Sequence, residues 1–175
     1  MTESPQTSPQ PTQAPATPRV RPAVLADADA IYELIAEAAR TTTVLPRDRE
    51  NICQAVRDFV LVECDGRIIG CGALGLFTRT LAEVRSLVVA ADWRGRGIGR
   101  LLIGGLVGEA TRLGVRRLFA LTDSRGFFEA NGFKLVSKES LPHKVWNECV
   151  FCPKFLHCEE EAVDMLLTPG EKAAE

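Results

Sequence analysis

The 175 residues predict an α/β (α+β) fold, a mixed and mostly antiparallel sheet flanked by helices. Three observations carry this reading. Residues 59–64 and 67–74 are apolar, β-type runs joined by Asp65-Gly66, a pair suited to the positive φ angles of a tight hairpin turn. Residues 87–102 pass from an apolar run through a turn rich in glycine and arginine directly into an amphipathic helix. Beyond Gly114, strand and helix patterns alternate at short intervals.

Each element follows from its own residues. Residues 1–18 are, apart from Met1 and Glu3, Pro, Gln, Thr, Ser and Ala, with no large apolar side chain beyond Met1, so they cannot offset the entropy of ordering and predict a disordered tail. The domain is expected over 19–168. A first strand falls at 20–23, where Pro22 is tolerated at an edge or a bulge. Asp27 or Asp29 caps a helix whose Ile31, Leu34, Ile35 and Ala38 recur at helical spacing, with Tyr32 partly packed. After a polar loop at 41–46, Asp48 caps a second helix through Val56, with Ile52, Ala55 and Val56 inward. The hairpin follows, then a strand at 82–89, a helix at 98–113 closed by Gly114, a strand at 117–122, a short helix at 126–131 and a strand at 132–136. A last strand at 163–167 is expected to rejoin the sheet edge, and 169–175 to fray.

Composition excludes several classes. A net charge of −2 gives no global pull toward nucleic acid or anionic membrane, so a basic site must be local. No apolar run reaches the ~18 residues of a membrane span, and the N-terminus lacks the layout of a signal peptide, so a cytoplasmic protein is expected. In that compartment the six cysteines read as reduced thiols, core packing or metal ligands.

The local basic site is the turn itself. Gly95, Gly97 and Gly99 allow backbone N–H groups to approach an anion, the following helix contributes its unpaired N–H groups, and Arg94, Arg96 and Arg100 add charge. A dinucleotide fingerprint read from Gly95 fails at Arg100, and a P-loop fails for want of Gly-Lys-Ser/Thr. Arg94-x-x-Gly97-x-Gly99 does fit the [Q/R]-x-x-G-x-[G/A] pattern of the GCN5-related N-acetyltransferase superfamily, and Phe127-Phe128-Glu129-Ala130-Asn131-Gly132-Phe133 resembles its F-[Y/F]-x-x-x-G-F segment. The resemblance covers residues 19–168 and implies the acyl-CoA N-acyltransferase fold, with acetyl-CoA as co-substrate held at Leu87, Val88, Val89, Arg94, Gly95, Arg96, Gly97, Ile98, Gly99 and Arg100.

Further segments resemble the bacterial amino-acid N-acetyltransferases, the N-acetylglutamate synthases that open arginine biosynthesis. They are Leu45-Pro46-Arg47-Asp48-Arg49-Glu50, Cys71-Gly72-Ala73-Leu74, Ala82-Glu83-Val84-Arg85-Ser86-Leu87, Phe119-Ala120-Leu121-Thr122 and Leu141-Pro142-His143-Lys144-Val145-Trp146 through Cys158. No amino-acid-kinase domain precedes these segments, so the chain resembles the short, stand-alone form. The implied reaction is attack of the L-glutamate α-amine on the thioester of acetyl-CoA. Glu83 is then the expected base, acting directly or through water. Main-chain N–H groups near 87–89 are the expected oxyanion donors. Arg47 and Arg85 are expected to bind the substrate carboxylates, with Thr122 and the Leu121 backbone nearby. Phe128 stands where the superfamily often has a tyrosine acid; Ser124 is a weak substitute, and a thiol of pKa about 8.5 leaves readily as thiolate. Small-molecule substrates, acetyl-CoA and L-glutamate, are the expected partners, without nucleic acid or membrane and with a homodimer left open.

Cys53, Cys64 and Cys71 fall in apolar patterns and read as core. Cys149-x-x-Cys152-x5-Cys158 within 143–160, with His157 or His143, suits either a Cys3His zinc site or reduced, partly packed thiols. Two other functions remain open: acetyl transfer to another amine, such as a protein N-terminus or polyamine, and a non-catalytic CoA-binding or metal-sensing module.

Overall fold

Strand β1, Arg19–Pro22, opens the computed structural model, which describes residues 17–141 and 148–168. The expected tail 1–18, apart from Thr17 and Pro18, and the expected frayed end 169–175 lie outside the described residues. Strand β1 is an edge strand, where the donor that Pro22 lacks is not needed by a second neighbour. It pairs antiparallel with β2, Phe59–Cys64, which turns through Asp65 (φ 51°) and Gly66 (φ 73°) into β3, Arg67–Leu76. Both turn residues adopt the left-handed conformation that the sequence predicts there.

The sheet continues with β4 (Leu81–Val89), β5 (Arg117–Thr122), β6 (Lys134–Val136) and β7 (Glu161–Leu166) in the order β1-β2-β3-β4-β5-β7-β6. All neighbours are antiparallel except β4 and β5. Placing the last strand at the sheet edge is therefore wrong: β7 inserts between β5 and β6. The reason is legible in burial, because Ala162 and Val163 point to opposite faces and both are buried, as befits an interior strand.

Helices α1 (Ala28–Ala39) and α3 (Ile98–Arg112) cover opposite faces. Ile31, Leu34, Ile35 and Ala38 of α1 pack with Leu61, Cys71, Ala73 and Val88. Ile103, Leu106 and Ala110 of α3 pack with Val60, Leu74, Val84 and Leu118. Burying a side chain of this size stabilises by about 1.5–3 kcal/mol, so the two apolar stripes, rather than helix propensity, hold the layers together.

Capping departs from expectation at α1. Asp27 holds the N-cap position, yet its carboxylate accepts the Val24 N–H at 2.8 Å and the Arg21 guanidinium at 2.7 and 2.8 Å, while Asp29 pairs with Arg49. Helix α2, Arg49–Gln54, is capped as expected, with Asp48 Oδ1 accepting the Asn51 N–H at 2.6 Å. It stops before Val56 because the chain tightens into a 3-10 turn, Val56–Asp58. Ile52 takes the buried position of this short helix, and Cys53, one residue round, is exposed rather than in the core. Cys64 and Cys71 are buried as expected. Among the described residues, no helix is long and apolar enough to cross a membrane.

Candidate active site

Two departures from regular pairing open the site. Strands β4 and β5 pair only from Leu81↔Arg117 to Glu83↔Phe119; beyond that point β4 continues against β3 alone and β5 against β7. Between Arg85 and Val88, β4 carries one residue more than β3, and Ser86 adopts φ 47°. This bulge bends β4 away from β5 just past Glu83. The buried Cys71 thiol, pushed up to about 12 by burial and so protonated at neutral pH, donates to the bulge carbonyl Ser86 O across 3.7 Å.

The resulting cleft, about 820 Å³, has the bulged strand as one wall and the ends of β5 and α4 (Arg125–Glu129) as the other. Leu87, Val88, Val89, Leu121, Thr122, Ser124 and Phe128 line it. The loop after α1 closes one end, held by Thr43 Oγ1 donating to Asp123 Oδ2 at 2.8 Å. A strap at 148–158 crosses the same end, where Lys154 Nζ donates to Thr43 O at 2.6 Å.

Charge at this end is organised around Glu83 and two arginines. Glu83 sits at the apex, 4 % exposed, and accepts Arg85 Nε at 2.5 Å. Arg85 Nη2 donates to Glu148 Oε1 on the strap at 2.6 Å, and its guanidinium lies 5.0 Å from the Phe77 ring centre. Burial opposes the Arg85 charge, but Glu83 and Glu148 outweigh it and raise its pKa. Arg47 is different. Its side chain is half-buried over Phe59 and makes a single weak hydrogen bond, Nη1 to Asn51 Oδ1 at 3.3 Å, with no ion pair among the described residues. Burial, with the neighbouring Arg85 charge adding to it, lowers its pKa, yet a guanidinium remains charged at neutral pH. The site therefore contains a partly desolvated cation that makes no ion pair among the described residues, with the Asp58 and Glu148 charges acting on it only through space.

The other end of the cleft is the glycine turn. Gly95 (φ 72°) and Gly97 (φ 80°) need the left-handed conformation, and Gly97 is the N-cap of α3. Among the described residues no side chain caps that helix, and no acidic residue lies in its first turn, so its unpaired N–H groups and positive dipole end are available to an anion. Arg94, Arg96 and Arg100 are exposed around it. Gly99 serves a different purpose: a Cβ there would stand 2.9 Å from the Phe127 ring, so this glycine lets α3 pack on α4.

Of the residues expected to hold acetyl-CoA, Leu87, Val88, Val89, Arg94 and Gly99 line the cleft. Gly95, Arg96, Gly97 and Arg100 lie on the exposed turn beside it, and the Ile98 side chain is buried with Val62, Ile69 and Leu102. Glu83, Arg47, Arg85, Leu121 and Thr122 all meet the cleft. Phe128 is buried edge-to-face with Phe127 and Phe133, and the Ser124 hydroxyl donates to Asp123 Oδ1 at 2.9 Å. Cys149, Cys152 and Cys158 line the cleft. Among the described residues no group of three potential ligands stands close enough for a metal; His143 lies outside them.

Sequence reasoning missed Gly75, Glu148 and Lys154. Gly75 pairs with Glu83 across β3 and β4, and a Cβ on it would stand 2.5 Å from Arg85 Nε. An isolated glycine in a strand does signal a close approach, but not to what. Glu148 and Lys154 act across 63 and 111 residues of sequence, a separation that carries no local signal.

Comparison with known proteins agrees with this architecture. The acetyltransferase (GNAT) family model matches residues 28–133. An uncharacterized N-acetyltransferase of Chlorobaculum tepidum is 42% identical over 144 residues, covering 82% of this chain and 93% of that protein. The amino-acid acetyltransferase of Shewanella oneidensis is 37% identical over 128 residues, 72% of this chain but 29% of that longer protein. Among solved structures, N-acetylglutamate synthase from Neisseria gonorrhoeae, complexed with coenzyme A and N-acetyl-glutamate, superposes with a TM-score of 0.78 at 26% identity. The match covers 90% of this chain and 36% of that one. The chain belongs to the acetyltransferase (GNAT) family.

Proposed function

We propose that this GNAT acetyltransferase is an N-acetylglutamate synthase, transferring the acetyl group of acetyl-CoA to the α-amine of L-glutamate as the first step of arginine biosynthesis. The observation that carries the reading is Arg47, a half-buried cation without an ion-pair partner among the described residues, at the same end of the cleft as the buried Glu83. An acceptor carboxylate supplies the direct ion pair that this guanidinium does not make, and bidentate pairing matches their shapes. A cationic polyamine has nothing to offer it. The curated amino-acid acetyltransferases and the Neisseria synthase support the same acceptor class.

In this reading the residues divide the work. The glycine turn, the α3 N-terminus and Arg94, Arg96 and Arg100 fit the phosphates of acetyl-CoA through unpaired N–H groups and charge. N–H groups of 87–89, freed by the splay of β4 from β5, face the thioester oxygen and stabilise its developing charge. Glu83 takes the proton released when the amine nitrogen bonds to the acetyl carbon and the C–S bond breaks. The sulfur leaves as thiolate, which removes the need for a phenol at Phe128. The unit that does this is the domain 19–168.

Thiol release from acetyl-CoA by the purified protein, measured against a panel of free amino acids, peptides and polyamines, tests the proposal. Turnover with L-glutamate above all other acceptors is expected. Turnover confined to peptides or polyamines would remove the assignment.

A further inference from the structure

Glu148 has no part in the reaction just outlined, yet it occupies half of the guanidinium that faces the acceptor. Arg85 gives Nε to Glu83 and Nη2 to Glu148, and the latter contact is the point where the strap at 148–158 meets the bulged strand. The strap is held independently at Lys154 Nζ, which donates to Thr43 O. In the Arg85–Glu148 contact the two side chains are 24% and 39% exposed, so this pair is only partly solvated. Arg85 stands near enough to Arg47 for its charge to lower the Arg47 pKa. Of these two cations only Arg47 lacks an ion pair among the described residues.

We propose that Glu148 is a specificity-determining residue: it competes with the acceptor's second carboxylate for Arg85, and so sets how strongly the enzyme distinguishes L-glutamate from its uncharged-side-chain isostere L-glutamine. The proposal rests on the reading of the cleft as an amino-acid acceptor site. An acceptor with one carboxylate needs Arg47 alone. An acceptor with two must displace Glu148 from Nη2, or tolerate a like charge beside its own, and like-charge juxtaposition is the usual device for rejecting a ligand. Glu148 acts through Arg85 and is a positioning residue, not a catalytic one.

The test is kcat/KM for L-glutamate and for L-glutamine in the full chain and in Glu148→Gln, Glu148→Ala and Glu148→Asp. Removing the charge is expected to raise the glutamate-to-glutamine ratio about tenfold, which corresponds to ~1.4 kcal/mol, through a lower KM for glutamate. Glu148→Asp keeps the carboxylate and is expected to stay near the parent ratio. A merely structural role would lower both activities together and leave the ratio where it was. An unchanged or lower ratio in both neutral variants overturns the proposal while leaving the synthase reading intact. Absence of turnover with either amino acid, alongside turnover of another amine, overturns both.

Discussion

The Arg85 side chain lies directly over the α-carbon of Gly75, so close that a Cβ on Gly75 would stand 2.5 Å from Arg85 Nε and 2.8 Å from its guanidinium carbon. Gly75 is also the cross-strand partner of Glu83, the carboxylate that Arg85 holds. One missing methyl group thus gives the arginine its path across β3 to the apex of the cleft.

Gly75→Ala is expected to push Arg85 off Glu83 and raise the KM for glutamate about tenfold, with an overpacking cost of ~1–3 kcal/mol. Gly104→Ala is the control: nothing lies within 4 Å of its Cβ and it sits in α3, so this change should stabilise by ~0.4–1 kcal/mol. Acceptor KM and thermal unfolding of the two variants check the pair. An unaltered KM in Gly75→Ala would mean that Arg85 does not serve the acceptor.

Arg47→Ala removes the cation that lacks an ion pair. A hydrogen bond to a charged group contributes ~1.5–3 kcal/mol, so the acceptor KM should rise roughly 10- to 100-fold while that of acetyl-CoA barely moves. Steady-state kinetics with each substrate varied in turn decides it; equal losses for both substrates would count against a carboxylate-binding role.

Glu83→Gln keeps the size and removes the base. Positioned general bases contribute about 10²–10⁴-fold, so kcat should fall by at least 100-fold, with the acetyl-CoA KM little changed. Retained kcat in a correctly folded variant would show that another group takes the proton.

The Arg21–Asp27 pair gives a pH signature of stability. Arg21 lowers the Asp27 pKa, burial opposes this, and the Val24 N–H assists Arg21. A carboxyl whose pKa is depressed on folding stabilises the fold above its unfolded value of about 3.9, and that contribution disappears as pH falls through the folded value. Asp27→Asn should therefore lower the unfolding temperature at neutral pH, and the gap from the parent protein should narrow below about pH 4. Unfolding measured across pH 2–8 tests this; a gap independent of pH would assign the effect to packing.

Local chemistry made much of this molecule legible before folding. Asp65-Gly66 announced its own turn, because few residue pairs accept two successive positive φ angles. The stripe Ile31, Leu34, Ile35 and Ala38 announced the buried face of α1, and the glycine spacing at 94–100 announced the tight turn that opens α3. The same reading nominated Glu83, Arg47 and Arg85, and all three meet one cleft.

What the tertiary structure alone decided is how those residues are coupled. Sequence periodicity reports which face of an element is apolar, but not which strand lies beside it. The insertion of β7 between β5 and β6 was therefore invisible. Charge pairing is a property of through-space distance. Folding separates Arg47 from Arg85: Arg85 is brought 2.5 Å from Glu83 and 2.6 Å from Glu148, whereas Arg47 hydrogen-bonds only the neutral Asn51 and feels Asp58 and Glu148 through space. Glu148 lies 63 residues from Arg85, so no local pattern links the two, and their pairing exists only once the strap is laid across the cleft.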